Sequence, residues 1–379
     1  MGLALVVGPA HAGKVALLLE RYLAVLDRDP WLVVPNRADV ERVERDLIRR
    51  QPALLAGHIG TFDDLFEHIA GDEGGSSLAS DSQRHLAVRR AIAATELDGL
   101  GSSASTRGFA ETLLATLAEL ESALVDPGRL GGDLTRLARA YRATLEELAL
   151  RDRPGLRRAV VERLHADLAA WHGEPVFAYG FEDLTAAEWA LIEALAARAD
   201  VTISIPYEPG RAAFAALQRT VDDLSALAGD AIEELPRTRS RTTPAPLLHL
   251  EQLLFTDRRT PGPAPDGSLR FLEGAGVRGT AELLATELLA ALRAETPPER
   301  IAIVCDSPER WRAPLGAVLS QLRIPHAFEH SWRLGETALG AALLALLRFG
   351  WLGGGRADLF AFLRSPFSGL ERRSVDFVE

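Results

Sequence analysis

Residues 2–15 read GLALVVGPAHAGKV, and the fold turns on how they are interpreted. The apolar run 2–7 suits a strand buried on both faces. Gly8 and Pro9 break the run, and KVALLLERYLAVL then carries the apolar spacing of a helix over 14–26. Gly8, Pro9, Ala10, His11, Ala12, Gly13 and Lys14 match every position of G-x-x-x-x-G-K-[ST] up to the lysine. A strand that turns through such a loop into a helix surrounds an anion with backbone N–H groups. It also aims the positive end of the helix at that anion. Lys14 is placed to reach β- and γ-phosphates, so ATP or phosphate is the ligand class of the loop. The last position of the motif is Val15, which has no hydroxyl with which to hold Mg²⁺.

Lys14 is the only lysine among 42 basic residues. Arginine stands wherever a generic positive charge would serve, so the surviving lysine marks a place that needs a compact ammonium on a flexible stem. The 379 residues are 47% hydrophobic and 25% charged, enough for two or three domains with a large core. A net charge of −11 argues against coating nucleic acid by bulk charge, though not against a local basic groove. The single cysteine, Cys305, excludes an internal disulfide and a cysteine metal cluster. There is no apolar stretch of the roughly 18 residues a membrane span needs. There is also no basic leader, and Val6 breaks the myristoylation pattern, so the cytoplasm is the expected compartment.

Strands and helices alternate along the rest of the chain. A strand is expected at 31–35, a charged helix at 38–50, strands at 176–181 and 201–206, and a helix at 185–199 between them. A polar Gly/Ser-rich stretch covers 71–82. Residues 83–172 read as wholly helical, with apolar spacing through 109–125, 133–150 and 155–171. Linker composition marks 236–246 and 256–268. Beyond them, strands are expected at 269–273, 301–305 and 324–328 and helices at 279–293, 308–322 and 337–349. The alternation predicts an α/β fold with parallel sheets. The expected domains are 1–82 with 173–255, a helical insertion over 83–172, and a second α/β unit over 256–379. A further insertion is expected to open after about residue 350. The chain stops at Glu379 without a turn or capping signal, which reads as a truncation.

A hydrolytic site needs an Asp for Mg²⁺ and a Glu for water at the end of another core strand. The strand at 176–181 leads into Glu182 and Asp183. Aligned with the acidic D-E-x-Q-D motif of UvrD-type helicases, Tyr179 and Gly180 stand where the two acids belong. Glu182 and Asp183 then read as acids ahead of the helix at Thr185.

Several stretches, in order, resemble the N-terminal helicase-like region of the AddB components of bacterial AddAB helicase–nucleases. These are the loop ending at Lys14, Val33-Val34-Pro35-Asn36-Arg37, and Gly60-Thr61-Phe62-Asp63-Asp64-Leu65. Tyr179-Gly180-Phe181-Glu182-Asp183-Leu184-Thr185 follows, then Arg300-Ile301-Ala302-Ile303-Val304, Arg323-Ile324-Pro325 and Gly335-Glu336-Thr337-Ala338-Leu339-Gly340. The resemblance covers almost the whole chain. It implies a P-loop NTPase fold of RecA-like parallel sheets, of the UvrD/Rep superfamily 1 type, with a helical insertion and a degenerate ATPase site. It also implies single-stranded or duplex-end DNA and an AddA-type helicase–nuclease subunit as partners. Asn36, Arg37, Thr61 and Phe62 would be the DNA contacts, with Phe62 stacking on a base. The family's C-terminal nuclease is not expected within this chain, since one lysine and one cysteine cannot furnish its motifs. The alternative is an active superfamily 1 helicase, against which Val15, Tyr179 and Gly180 stand.

One competing motif is literal. His326-Ala327-Phe328-Glu329-His330 satisfies H-x-x-E-H, an inverted zinc-protease signature that requires a helix. Pro325 and the β-leaning surroundings favour a strand end there, so neither a metal site nor a catalytic residue is assigned. The run 237–241 (RTRSR) reads as an exposed linker or a phosphate contact. Trp31, Trp171, Trp189 and Trp311 read as core.

Overall fold

A computed structural model of the chain describes residues 2–51, 53, 55–71, 77–106, 108–237, 243–258, 260–329 and 333–378. The chain divides into two compact units, Met1–Ser268 and Leu269–Glu379. The first runs β1 (Gly2–Gly8), α1 (Lys14–Ala24), β2 (Trp31–Val33), α2 (Arg37–Arg50), β3 (His58–Gly60) and α3 (Phe62–Ala70). Then come β4 (Ser77–Leu78), α4 (Asp81–Ala94), α5 (Gly101–Ala104), α6 (Phe109–Ser122), α7 (Gly132–Glu147) and β5 (Leu150–Arg151). It continues through α8 (Arg153–Ala166), β6 (Val176–Tyr179), α9 (Ala186–Ala196), β7 (Asp200–Pro206), α10 (Gln218–Ala228), β8 (Ile232–Glu234) and α11 (Ala245–Leu253).

Six strands form one sheet in the order β3-β2-β6-β7-β1-β8, and every described pairing in it is parallel. Parallel strands need long crossovers, and helices supply them on both faces. Side chains alternate along each strand. Leu3, Leu5 and Val7 of β1, with Val33, Ala178 and Ile203, enter the layer built by α3, α8, α9 and α10. Val6, Leu32 and Phe177 enter the opposite layer, built by α1 and α2. Leucines with no exposure, such as Leu5, Leu18 and Leu191, each contribute roughly 1.5–3 kcal/mol. Because the strands are parallel, the loops after β1, β2, β3, β6, β7 and β8 share one rim, the edge where open α/β sheets place ligands.

Residues 83–172 depart from the expectation in two ways. β4 and β5 pair with each other in a small parallel ladder, so the region is not wholly helical. Helices α4, α6 and α7 share their own core, including Val88, Leu113, Leu117, Leu137 and Tyr141. In contrast, α8 buries Val160, Val161 and Leu164 in the core of the sheet. The guanidinium of Arg157 in α8 grips Asp63 of α3 through Nε at 2.9 Å and Nη2 at 2.5 Å. The apolar stripe over 155–171 identifies a helix with one buried face, but a stripe does not say which core receives it.

The second unit contains α12 (Gly276–Arg293), α13 (Pro308–Gln321), α14 (Ala338–Trp351), α15 (Arg356–Leu363) and α16 (Arg372–Val378). Ala281, Ala285, Leu315, Val318, Leu319 and Ile324 form a core between α12 and α13. The strands expected at 269–273, 301–305 and 324–328 are not formed, and no described residue of this unit pairs in a sheet. An apolar pattern can favour extended backbone, but a strand exists only through pairing, and these segments have no neighbour to pair with. Phe271 and Val304 are 92% and 93% exposed as a result. Trp351, at the end of α14, is also largely exposed. Among the described residues, no helix is long and apolar enough to cross a membrane.

Candidate functional site

The loop from Gly8 to the start of α1 lies on the shared rim. Gly8 leaves β1 with φ 155°, and a Cβ there would sit 2.7 Å from the carbonyl oxygen of Leu235. Such close backbone approach admits only glycine. His11 (φ 60°) and Gly13 (φ 88°) turn through left-handed backbone, and Ala12 N–H closes onto Pro9 O at 3.3 Å. α1 then begins with no side-chain cap and no acid in its first turn. The neighbouring helices differ: α2, α3 and α9 are capped by Asn36, Thr61 and Thr185, and each carries an acid in its first turn. Only α1 of these four leaves its first N–H groups and positive dipole end without a side-chain partner.

Lys14 is buried and turned back on its own loop. Its Nζ donates to Gly8 O at 2.8 Å and to Pro9 O at 2.5 Å. Burial pushes its pKa below the usual lysine range, while the nearby Glu208 carboxylate acts in the opposite direction. Val15 points outward and is exposed. The residues of the motif are thus held together in one loop, with an ammonium and free helix amides but no hydroxyl for a metal.

The end of β6 lies two strands from β1, with β7 between them. Tyr179 is packed against the α1–α2 layer, and burial raises its hydroxyl to about 12. Gly180 follows with φ 86°, and a Cβ there would meet Cγ of Pro35 at 3.0 Å. The turn therefore resists any side chain at the position that the motif comparison would give to an acid. Glu182 and Asp183 are both exposed at the rim; Asp183 accepts from Leu184 N–H at 2.8 Å. The capping of α9 itself falls to Thr185 and Glu188, which form a capping box.

Asn36, Arg37 and Thr61 follow the adjacent strands β2 and β3. Asn36 accepts from Asp39 N–H at 3.0 Å, and Thr61 shares a capping box with Asp64. Both helix starts are thus satisfied internally. Arg37 stands free of the core, its side chain 74% exposed and in contact with Asp64 at 3.4 Å. The ring of Phe62 is turned inward. It is only 4% exposed and packs on Phe181 with ring centroids 4.7 Å apart. It begins the buried stripe Phe62, Leu65, Phe66 and Ile69 of α3, so its ring serves the core.

A charge cluster beside the loop, apart from Arg237 of the arginine-rich run, is not singled out by any sequence motif. Glu208 accepts from Arg211 at 3.0 Å and from Arg237 at 2.6 Å. Arg237 also reaches Glu251 of α11 at 3.3 Å, and Arg211 donates to the Glu251 carbonyl. Arg237 is thereby internal, whereas 238–241 of the arginine-rich run lie outside the described residues. The signal that could have found the cluster is Tyr207-Glu208-Pro209-Gly210, a turn placing an acid just past a buried strand.

His326 sits in a non-helical segment with Nδ1 2.8 Å from Ile324 O, and His330 lies outside the described residues. The helical face that H-x-x-E-H requires is not present over 326–329. Among the described residues, no group of three or more His, Cys, Asp or Glu is arranged to hold a metal ion.

No family model matches the chain. It does align over its full length with the B component of the ATP-dependent helicase/deoxyribonuclease of Moorella thermoacetica, at 25% identity across 429 positions. The chain is similar to a helicase/deoxyribonuclease component. It spans 37% of that relative's length.

Proposed function

We propose that the chain is a helicase-like, DNA-binding scaffold of a double-strand-break repair helicase–nuclease complex, and that it does not hydrolyse ATP itself. The observation that carries this reading is Gly180, whose left-handed backbone and Pro35 neighbour disfavour a side chain where hydrolysis needs an acid. Val15 removes the metal-binding hydroxyl as well. The loop over residues 8–15 is a vestigial nucleotide or phosphate site on a RecA-like P-loop sheet. β1–β3 and β6–β8 constitute the first motor-like domain, α4–α7 its insertion, and the second unit belongs to another motor-like domain. The setting is cytoplasmic, with an AddA-type subunit supplying the motor.

DNA is proposed to cross the rim at Asn36, Arg37 and Thr61. Arg37 offers an exposed guanidinium to phosphate, and the flanking polar groups position the backbone without reading sequence. Asp39, Asp63 and Asp64 crowd the same rim, and the chain carries a net charge of −11. Binding by the isolated chain is therefore weak and steeply salt-dependent.

Two measurements test this reading. ATP turnover with and without single-stranded DNA should stay at background; a robust DNA-stimulated rate abolished by Lys14→Ala overturns the scaffold. Fluorescence anisotropy with single-stranded oligonucleotides, alone and with the partner subunit, should show weaker binding for Arg37→Ala. Equal binding of Arg37→Ala and wild type in the complex rules out this DNA path.

A further inference from the structure

We propose that Glu208 is a built-in counter-charge that keeps the loop over residues 8–15 closed to phosphate, and that Arg237 sets how strongly the loop feels it. The inference rests on the reading of that loop as a phosphate site. Lys14 commits two of its three N–H donors to Gly8 O and Pro9 O. A phosphate chain can engage Lys14 only after those contacts are broken. Glu208 is fixed close by: β7 pairs with β1 through Pro206 opposite Gly8, and Tyr207 N–H donates to Gly8 O at 2.9 Å. A carboxylate in this place supplies the negative charge that a bound phosphate would otherwise bring to Lys14, and it repels incoming phosphate oxygens.

The carboxylate is not left at full strength. Arg211 and Arg237 both neutralise it, and Arg237 divides its guanidinium between Glu208 and Glu251. The cluster therefore joins the end of β7, the segment after β8, and α11. Removing Glu208 takes away the repulsion. Removing Arg237 exposes more of it, so the two substitutions should move phosphate affinity in opposite directions.

The test is calorimetric titration of inorganic tripolyphosphate, without divalent metal, into the full 379-residue chain. Glu208→Gln should bind about tenfold or more tightly than wild type, the scale of one nearby charge at a largely buried site. Arg237→Gln should bind more weakly than wild type, and Lys14→Met added to Glu208→Gln should abolish the gain. Circular dichroism and urea midpoints establish that each variant is folded. If Glu208→Gln and wild type bind equally while Lys14→Met loses binding, the counter-charge is refuted and the phosphate site stands. If Glu208→Gln and Arg237→Gln shift affinity in the same direction along with their stabilities, the cluster is only structural and the proposal fails. If no variant binds, or binding survives Lys14→Met, the phosphate site and the counter-charge fail together.

Discussion

At Gly180 the backbone adopts φ 86° with Pro35 against it, so the residue identity is dictated by shape. Gly180→Ala should lower stability by about 1–2 kcal/mol, read as a shift of the urea midpoint at unchanged slope. An unshifted midpoint would mean the turn tolerates a side chain, and the case against an acid there would collapse. For the same reason, Val15→Thr combined with Gly180→Glu should not create ATP turnover, because the acid cannot be seated without disturbing Pro35. Phe62 gives the complementary case. Its burial predicts that Phe62→Ala destabilises the fold by about 3–5 kcal/mol, a loss visible in urea denaturation without any DNA present. A near-wild-type midpoint would return Phe62 to the surface and to the DNA. The stripe Phe62, Leu65, Phe66, Ile69 is visible in the sequence at helical spacing. Family resemblance points the other way at this residue, and spacing is the stronger physical signal.

Among the elements, β2 and β3 begin beside an aromatic cluster at the end of the sheet opposite the rim. The Trp31 ring stacks on His58 at 4.7 Å and meets His68 of α3 at 4.8 Å, and the two imidazoles lie 5.3 Å apart. His58 also contacts Asp29 at 3.1 Å. Burial pushes the His68 pKa below its ordinary 6.5 and the charge of His58 adds to this, while Glu174 and Asp29 oppose it. A depressed histidine means the folded state binds fewer protons than the unfolded chain. Its contribution is complete above pH 6.5 and is lost as pH falls through the folded value. Urea midpoints should therefore fall more steeply between about pH 7 and 5.5 for wild type than for His68→Gln. Parallel slopes would remove His68 from the account. The apolar strands β1 and β7, seven residues each, and the apolar β6 are legible because their runs exceed what a loop tolerates. β3 and β8 are not: three residues each, with His58, Glu233 and Glu234 among them, they give periodicity nothing to register. In the second unit the mismatch runs the other way. Ile301, Ile303 and Val304 declare a strand correctly patterned for burial, but pattern specifies a face and cannot supply the neighbouring strand.

Over the whole molecule, stability is distributed unevenly. The first unit buries a sheet on both faces, whereas 301–304 has no pairing partner among the described residues and is exposed at 302–304. Amide hydrogen exchange should show 301–304 exchanging at least about a thousandfold faster than β1. Comparable protection would mean these residues do pair in solution. The single lysine has a separate, practical consequence. Lys14 is the chain's only side-chain amine and is buried in its loop. Amine-reactive acylating reagents therefore have one side-chain target in this protein, and they reach it only when the ammonium leaves the Gly8 and Pro9 carbonyls. The rate of acylation at Lys14, followed by mass spectrometry, becomes a direct clock for the opening of that loop, with no engineered label and no second lysine to correct for.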